Sequence, residues 1–254
     1  MILATHGIVS SISGFDADYQ AVLNYATSLG YTLPSSGQSV KQNKLLVDLK
    51  TAGIWSKLDS FSVFATDGSS NFALIDWKRL SLMTAVNSPT FTSNQGFTGN
   101  GTSSYVDTNF NLLTNGVNYK DSDASRYMYL YSGTNAFIEG VAASGTYNRI
   151  LLSNSTNQSI NSDISINLTF SYSTAKGIKS IHRTSISDIS LYNDKVGATR
   201  TALYETPLRS VTQLILRRSV SYSNNQISMY AMGASLVSQN DSFVDAFNTY
   251  MNSL

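Results

Sequence analysis

Few residues in this chain could carry out chemistry. Its 254 residues hold two histidines, two glutamates, two tryptophans and no cysteine. His6 and His182 share no motif, and no G-x-S-x-G elbow offers either of them a serine to activate. His182 lies in KSIHRTS on an expected strand, a setting that suits a surface or hydrogen-bonded structural imidazole better than a catalytic base. A retaining glycosidase needs two carboxyls roughly 5–5.5 Å apart, commonly at alternate positions of one strand. Glu139 and Glu205 have no acidic neighbour two residues away. Asp121 and Asp123 do alternate, but in a loop-like DSDAS segment that suits a solvated turn or a weak calcium site. Asp67 with Ser69 and Asn71 offers oxygen ligands on one loop, although Asx residues in turns ordinarily cap the turn. A glycan-degrading enzyme would need two carboxylates to converge in a groove, for example from Asp76, Asp107, Asp188 or Glu139. Trp55 and Trp77 end apolar runs (AGIW, FALIDW), which reads as core or helix docking rather than an exposed sugar platform. GFTGNG is a hairpin sequence, not a phosphate loop opening a helix. The sequence therefore assigns no catalytic, cofactor-binding or metal-ligating residue.

Composition narrows the classes further. Charged residues make up 13% of the chain, against about 25% in a typical globular protein, so Ser, Thr, Asn, Gly and Tyr must build the surface. A net charge of +1 provides no field to attract nucleic acid or an anionic membrane. Without cysteine there are no disulfides and no thiolate sites, and the fold must stand on its core. No apolar run approaches the roughly 20 residues of a membrane helix, and MILATHGIVSSISG lacks the basic start of a signal peptide. The expectation is a soluble protein with no membrane partner.

The elements that would position these residues fall into a helical start, a long β region and a helical close. Residues 2–13 read as an extended arm or edge strand. Asp16 caps a helix carrying Tyr19, Val22, Leu23, Ala26 and Leu29 at helical spacing, and Gly30 ends it. Leu45, Leu46, Leu49 and Ala52 mark a second short helix ending at Gly53. From Phe61 the period becomes two, with Asp67-Gly68 expected to turn a hairpin back through Phe72–Ile75. The segment NSPTFTSNQGFTGNGTSSYVDTNF (87–110) organises the β region. Asn100-Gly101 predicts a type I′ hairpin turn, with Phe91, Phe97, Tyr105 and Phe110 pointing inward. Short strands then recur between polar turns at 126–131, 136–141, 149–152, 164–172, 177–183, 188–192, 198–204, 213–216 and 226–236. The chain closes with a helix whose stripe is Phe243, Val244, Phe247, Tyr250, Met251 and Leu254, with Ser238 and Asp241 fitting a capping box. The fold class expected is mainly β, an antiparallel β-sandwich of jelly-roll type with two short N-terminal helices and a C-terminal helix packed on it. The division expected is 1–58 for the arm and helices and 59–254 for the sandwich.

Three segments, LKTAGIWSKLDSFSVFATDG, FALIDWK and NSPTFTSNQGFTGNGTSSYVDTNF, resemble a module of structural proteins of tailed bacteriophages and prophages, and ILATHGIVSSISGFDAD is similar to N-termini of that group. IHRTSISDISLYNDKVG and YAMGASLVSQNDSFVDAFNTYM resemble the later strands and closing helix of concanavalin A-like, laminin G-like jelly rolls. The resemblance implies a virion protein assembled in the host cytoplasm, with other virion proteins and copies of itself as partners. Capsid decoration, head fibre and tail or baseplate appendage all fit. It carries over no catalytic residue, because the E-x-D-x-x-E strand motif of that superfamily's enzymes is missing. Three functions rank in order: a structural virion component displaying a polar, tyrosine-rich sandwich face, a module binding host surface glycan, and, last, a glycan-degrading enzyme.

Overall fold

The computed structural model describes residues 14–133, 137–141, 149–151, 160, 175–201 and 207–254. The expected arm at 2–13, His6, the expected strand at 164–172 and Glu205 lie outside them.

The helices begin and end where local chemistry places them. The Asp16 carboxylate accepts the Asp18 N–H (2.9 Å) and caps Ala17–Ser28, which buries Tyr19, Val22, Leu23 and Ala26. Ser35 caps Ser36–Thr51 through the Gln38 N–H (3.2 Å), and Leu45, Leu46 and Leu49 are buried. Gly30 and Gly53 follow these helices at φ +70° and +68°. The closing helix, Asn240–Ser253, buries Phe243, Val244, Phe247, Tyr250 and Met251 as a single stripe. Its capping box does not form. Gln239 occupies the N-cap without a side-chain bond, Ser238 Oγ donates to Gln239 Oε1, and Leu254 stays 38% exposed.

The chain is a mainly β protein whose described residues form two large antiparallel sheets and two small two-stranded ones. The larger runs in the order Val196–Thr201, Asp188–Asn193, Gly177–Arg183, Ala124–Ser132, Gln226–Gly233, Gly96–Thr98, Thr90–Thr92. Gln226–Gly233 is its hinge strand. One edge pairs with Ala124–Ser132 over its length, while the other is shared between Gly96–Thr98 and Leu58–Val63. The smaller sheet runs Arg149–Leu151, Phe137–Val141, Thr212–Ile215, Tyr105–Asn111, Thr84–Val86.

Alternation along the larger sheet feeds two hydrophobic layers. Met128, Leu130, Ile181, Leu191, Ile227 and Tyr230 face the smaller sheet together with Val106, Phe110 and Ile215. Tyr127, Tyr129, Ile178, Met229 and Ala231 face the helices, where Leu45, Leu49, Phe243 and Phe247 meet them. The expected boundary at 58/59 falls inside the strand Leu58–Val63, whose Phe61 and Val63 belong to the same cluster as the helical residues.

The expectation of a displayed tyrosine-rich face is corrected by this second layer. Tyr127 is fully buried and Tyr129 nearly so under the helices, with Tyr127 stacked on Phe243 at 4.2 Å, while Tyr230 is buried on the other side, inside the sandwich. The closing helix covers that face because its aromatic stripe has no other surface on which to bury itself.

Both expected hairpins are also corrected. Phe72-Ala73 lies in a single helical turn, Ser70–Ala73, capped by Ser69, and Leu58–Val63 pairs with Gln226–Gly233 instead. Residues 99–104 cross from one sheet to the other, because Gly96–Thr98 and Tyr105–Asn111 belong to different sheets. Gly101 does take positive φ (+74°), but in a loop where Asn100 Oδ1 accepts the N–H groups of Thr102, Ser103 and Ser104. The hairpin of this segment is one turn earlier, where Thr92 pairs with Gly96 around Asn94 at φ +61°.

A buried ion pair joins the layers. Asp76 accepts from Ser60 Oγ (2.6 Å), the N–H groups of Phe61, Lys78 and Arg79, and Arg79 Nε (2.7 Å). Arg79 reaches on to the carbonyls of Thr108 and Asn109 in the smaller sheet.

Candidate saccharide-binding surface

The outer face of the smaller sheet lies on the side of the sandwich away from the helical layer. In Tyr105–Asn111 the buried residues Val106, Thr108 and Phe110 alternate with Tyr105, Asp107 and Asn109, which lie on the outer face. Next to Tyr105 the chain folds a two-residue hairpin in which Arg217 pairs with Tyr222 and Arg218 with Ser221. Ser219 turns it at φ +49°, and Val220 at its tip is 83% exposed.

These two elements form a stack. The Arg217 guanidinium carbon lies 4.5 Å from the Tyr105 ring centroid and 5.2 Å from that of Tyr222, and all three side chains are half-buried. Arg217 Nε donates to the Ser219 carbonyl (2.7 Å), which fixes the plane of the guanidinium. The two Nη groups have no acceptor among the described residues. A guanidinium lying against two tyrosine rings that themselves meet at 6.1 Å, with one edge uncommitted, is suited to bidentate contact with a carboxylate. The flanking tyrosines add ring faces and hydroxyls of the kind that contact sugars and polar ligands.

The crossing loop 99–104 braces this site. Gly99 N and Gly101 N donate to the carbonyls of Asn225 and Ser223, next to Tyr222. A Cβ on Gly99 would fall 2.0 Å from the Ser223 carbonyl oxygen, so only glycine permits this approach. Sequence reading placed Tyr105 inward and singled out no role for Arg217; Tyr105 is half-buried and does pack against the sandwich core, though from the outer-facing register of its strand. Period-two alternation with buried Val106 and Phe110 was the signal that assigns Tyr105 to the outer face. Arg217-Tyr222 pairing depends on a two-residue turn with no glycine to announce it.

Of the carboxylates considered for catalysis, the aspartates are engaged elsewhere. Asp121 Oδ1 accepts the Leu208 N–H and Asp123 Oδ1 accepts the Ser235 N–H, both at 2.7 Å. Asp67 Oδ1 accepts the Ser35 N–H and Ser69 caps its helical turn, so this loop is tied down by caps. Asp107 accepts from Asn109 N and Asp188 from Ser185 Oγ, while Asp76 is buried in the ion pair described above. Glu139 contributes backbone pairing to Ile150 and Ile215. Among the described residues, no three His, Cys, Asp or Glu side chains gather as a metal site. Also among them, no helix is long and apolar enough to cross a membrane.

His182 is fully buried between Tyr127 and Tyr192 at ring distances of 5.0 and 5.4 Å. Its Nδ1 accepts from the Leu236 N–H and its Nε2 faces Ser180 Oγ at 3.1 Å. Burial pushes its pKa down to about 3, so the ring is neutral and structural.

No protein-family model matches the sequence, and no curated protein is detectably similar to it. Solved structures are similar in fold. Trypanosoma rangeli sialidase in complex with sialic acid aligns with a TM-score of 0.51 at 10% identity, over 82% of this chain and 39% of that one. Domain 4 of AbnA, an extracellular arabinanase from Geobacillus stearothermophilus in complex with arabinotriose, aligns with a TM-score of 0.49 at 11% identity, over 74% of this chain and 98% of that domain. The binding domain of botulinum neurotoxin serotype D aligns with a TM-score of 0.47 at 13% identity, over 78% of this chain and 52% of that one. The chain thus spans nearly all of the arabinanase domain and well under half of the sialidase. At 10% identity the likeness to the sialidase is one of fold alone. This chain is an antiparallel β-sandwich with a helical layer.

Proposed function

We propose that this chain is a non-catalytic structural module of a tailed-phage particle that presents the outer face of its smaller sheet to an acidic saccharide of the host surface. The observation that carries the binding part is the Tyr105–Arg217–Tyr222 stack with its two uncommitted Nη groups. With a net charge of only +1, attraction of an anion has to be local, and this stack supplies it. The phage setting rests on the resemblance of residues 49–68, 72–78 and 87–110 to virion modules. Its partners there are other virion proteins and copies of itself. Engagement of the described carboxylates in turns and buried pairs supports binding without hydrolysis.

Two measurements test this. Immunogold labelling of purified particles should place the chain on the virion, on head or tail. Free protein in the lysate with bare particles would overturn the phage setting. A glycan array probed with the purified chain should retain carboxylate-bearing saccharides, and release of reducing sugar from them would overturn the non-catalytic reading.

A further inference from the structure

The chain's two tryptophans meet in a pocket that shares no residue with the Arg217 stack. Asp18, Ala21, Trp55, Trp77, Lys78 and Leu80 line a space of about 100 Å³ where the first helix meets the turn after Asp76. The indoles are nearly buried, at 6% and 2% exposure, while Asp18 is half-buried and Leu80 exposed at its mouth. Trp55 Nε1 donates to Asp18 Oδ2 (2.8 Å). Trp77 Nε1, in contrast, is buried with no acceptor. A buried donor without a partner is costly and rare, and a bound water or ligand group is its ordinary explanation.

The rest of the pocket is equally prepared. Lys78 Nζ donates to the Trp55 carbonyl (2.9 Å) and sits 4.6 Å from the Trp55 ring centroid, with N–H protons to spare. Asp18 is paired with Lys50 (2.7 Å) and keeps its side chain 48% exposed. Behind the indoles, Trp77 packs on Tyr19 at 5.4 Å and on Phe61 at 5.5 Å, and Trp55 packs on Phe61 at 5.7 Å. Such bracing holds the walls in place without a ligand.

We infer that this pocket binds one residue of a neutral saccharide or a polyol, whose hydroxyls accept from Lys78 Nζ and donate to Asp18 against the indole walls. The pocket offers donors and an acceptor side by side, so its ligand must offer both. Lys50 bridges Asp16 and Asp18, and with Lys78 the two carboxylates and two ammonium groups around the pocket balance, so the ligand is neutral. Aromatic walls with a few convergent polar groups are the common make-up of small-ligand sites. This inference goes beyond the acidic-saccharide reading and does not depend on it.

With only two tryptophans, the chain gives two indole N–H resonances, and Trp77→Phe assigns them. The full chain is titrated with methyl glycosides of glucose, galactose, mannose and N-acetylglucosamine, and with glycerol, to about 100 mM, a range that captures millimolar affinity. A saturable shift of the Trp77 indole resonance is expected for at least one probe. Lys78→Met, which removes the ammonium and keeps the stem, should weaken it about tenfold or more. Ala21→Met, which fills the pocket from the helix, should do the same if Lys78→Met fails to fold. Arg217→Ala should leave the shift intact, which separates this site from the acidic-saccharide surface. No saturable shift with any probe, or one unchanged in both pocket variants, would overturn the inference and leave Trp77 with a bound water.

Discussion

Individual side chains in this protein divide between those that hold and those left free to bind. Asp76 holds. It accepts from a hydroxyl, three backbone N–H groups and Arg79, so replacing it with asparagine removes the charge that balances a largely buried guanidinium. Asp76→Asn should lower stability by about 2–3 kcal/mol, read from the urea midpoint, with binding at Arg217 unaffected. His182 holds in a different way. Its pKa is about 3 in the fold against 6.5 in the unfolded chain, so between those values the unfolded state binds the extra proton. Stability is full above the unfolded value and falls as pH drops through that window, at a slope approaching about 1.4 kcal/mol per unit. Wild type should therefore lose more stability than His182→Asn between about pH 7 and pH 4.5. Equal losses would show that the imidazole is not carrying this linkage. Sequence reading reached the structural role of His182 but not its depth, because burial under the closing helix is a long-range fact.

At the scale of elements, what was legible was what is local. Asp16 as a cap, Gly30 and Gly53 as helix ends, and the stripe Phe243–Met251 are decided within a few residues and stand as read. Period-two alternation from Phe61 was also sound, since Phe61 and Val63 face the helices while Phe64 faces the sandwich interior. Strand partners were not legible, because Leu58–Val63 pairs with residues 229–233, far along the chain. Asn100-Gly101 shows the same limit. A left-handed glycine was required, yet the loop crosses between sheets where a hairpin was expected. This distinction predicts an order of effects. Gly101→Ala meets only Asn224 Cβ at 3.7 Å and should cost about 1–2 kcal/mol for its positive φ. Gly99→Ala puts a Cβ 2.0 Å from the Ser223 carbonyl and should shift the melting temperature further and disturb the Arg217 hairpin. The reverse order would show that loop docking does not organise the site. Phe247→Asp, which places a carboxylate in a fully buried position between helix and sheet, should leave the chain insoluble or unfolded. A soluble, cooperatively melting variant would mean that the helical layer is dispensable.

The described residues are layered, with helices sealing the face that carries Tyr127 and Tyr129, on the far side from the outer face of the smaller sheet. This inverts the expectation from composition, because tyrosine content says nothing of which sheet face a distant helix will cover. The candidate site was illegible for a related reason. Tyr105, Arg217 and Tyr222 come from segments more than a hundred residues apart, and only folding stacks them. The low overall charge places recognition of an acid on one side chain, since no diffuse field can substitute for Arg217. The direct test is calorimetric titration of a carboxylate-bearing trisaccharide and its methyl ester into wild type and Arg217→Ala, with folding of both checked by thermal melting. The acid should bind wild type about tenfold or more tightly than the ester, and Arg217→Ala should erase that preference. An unchanged preference in a folded Arg217→Ala variant, or no preference in wild type, would show that this guanidinium does not recognise the acid.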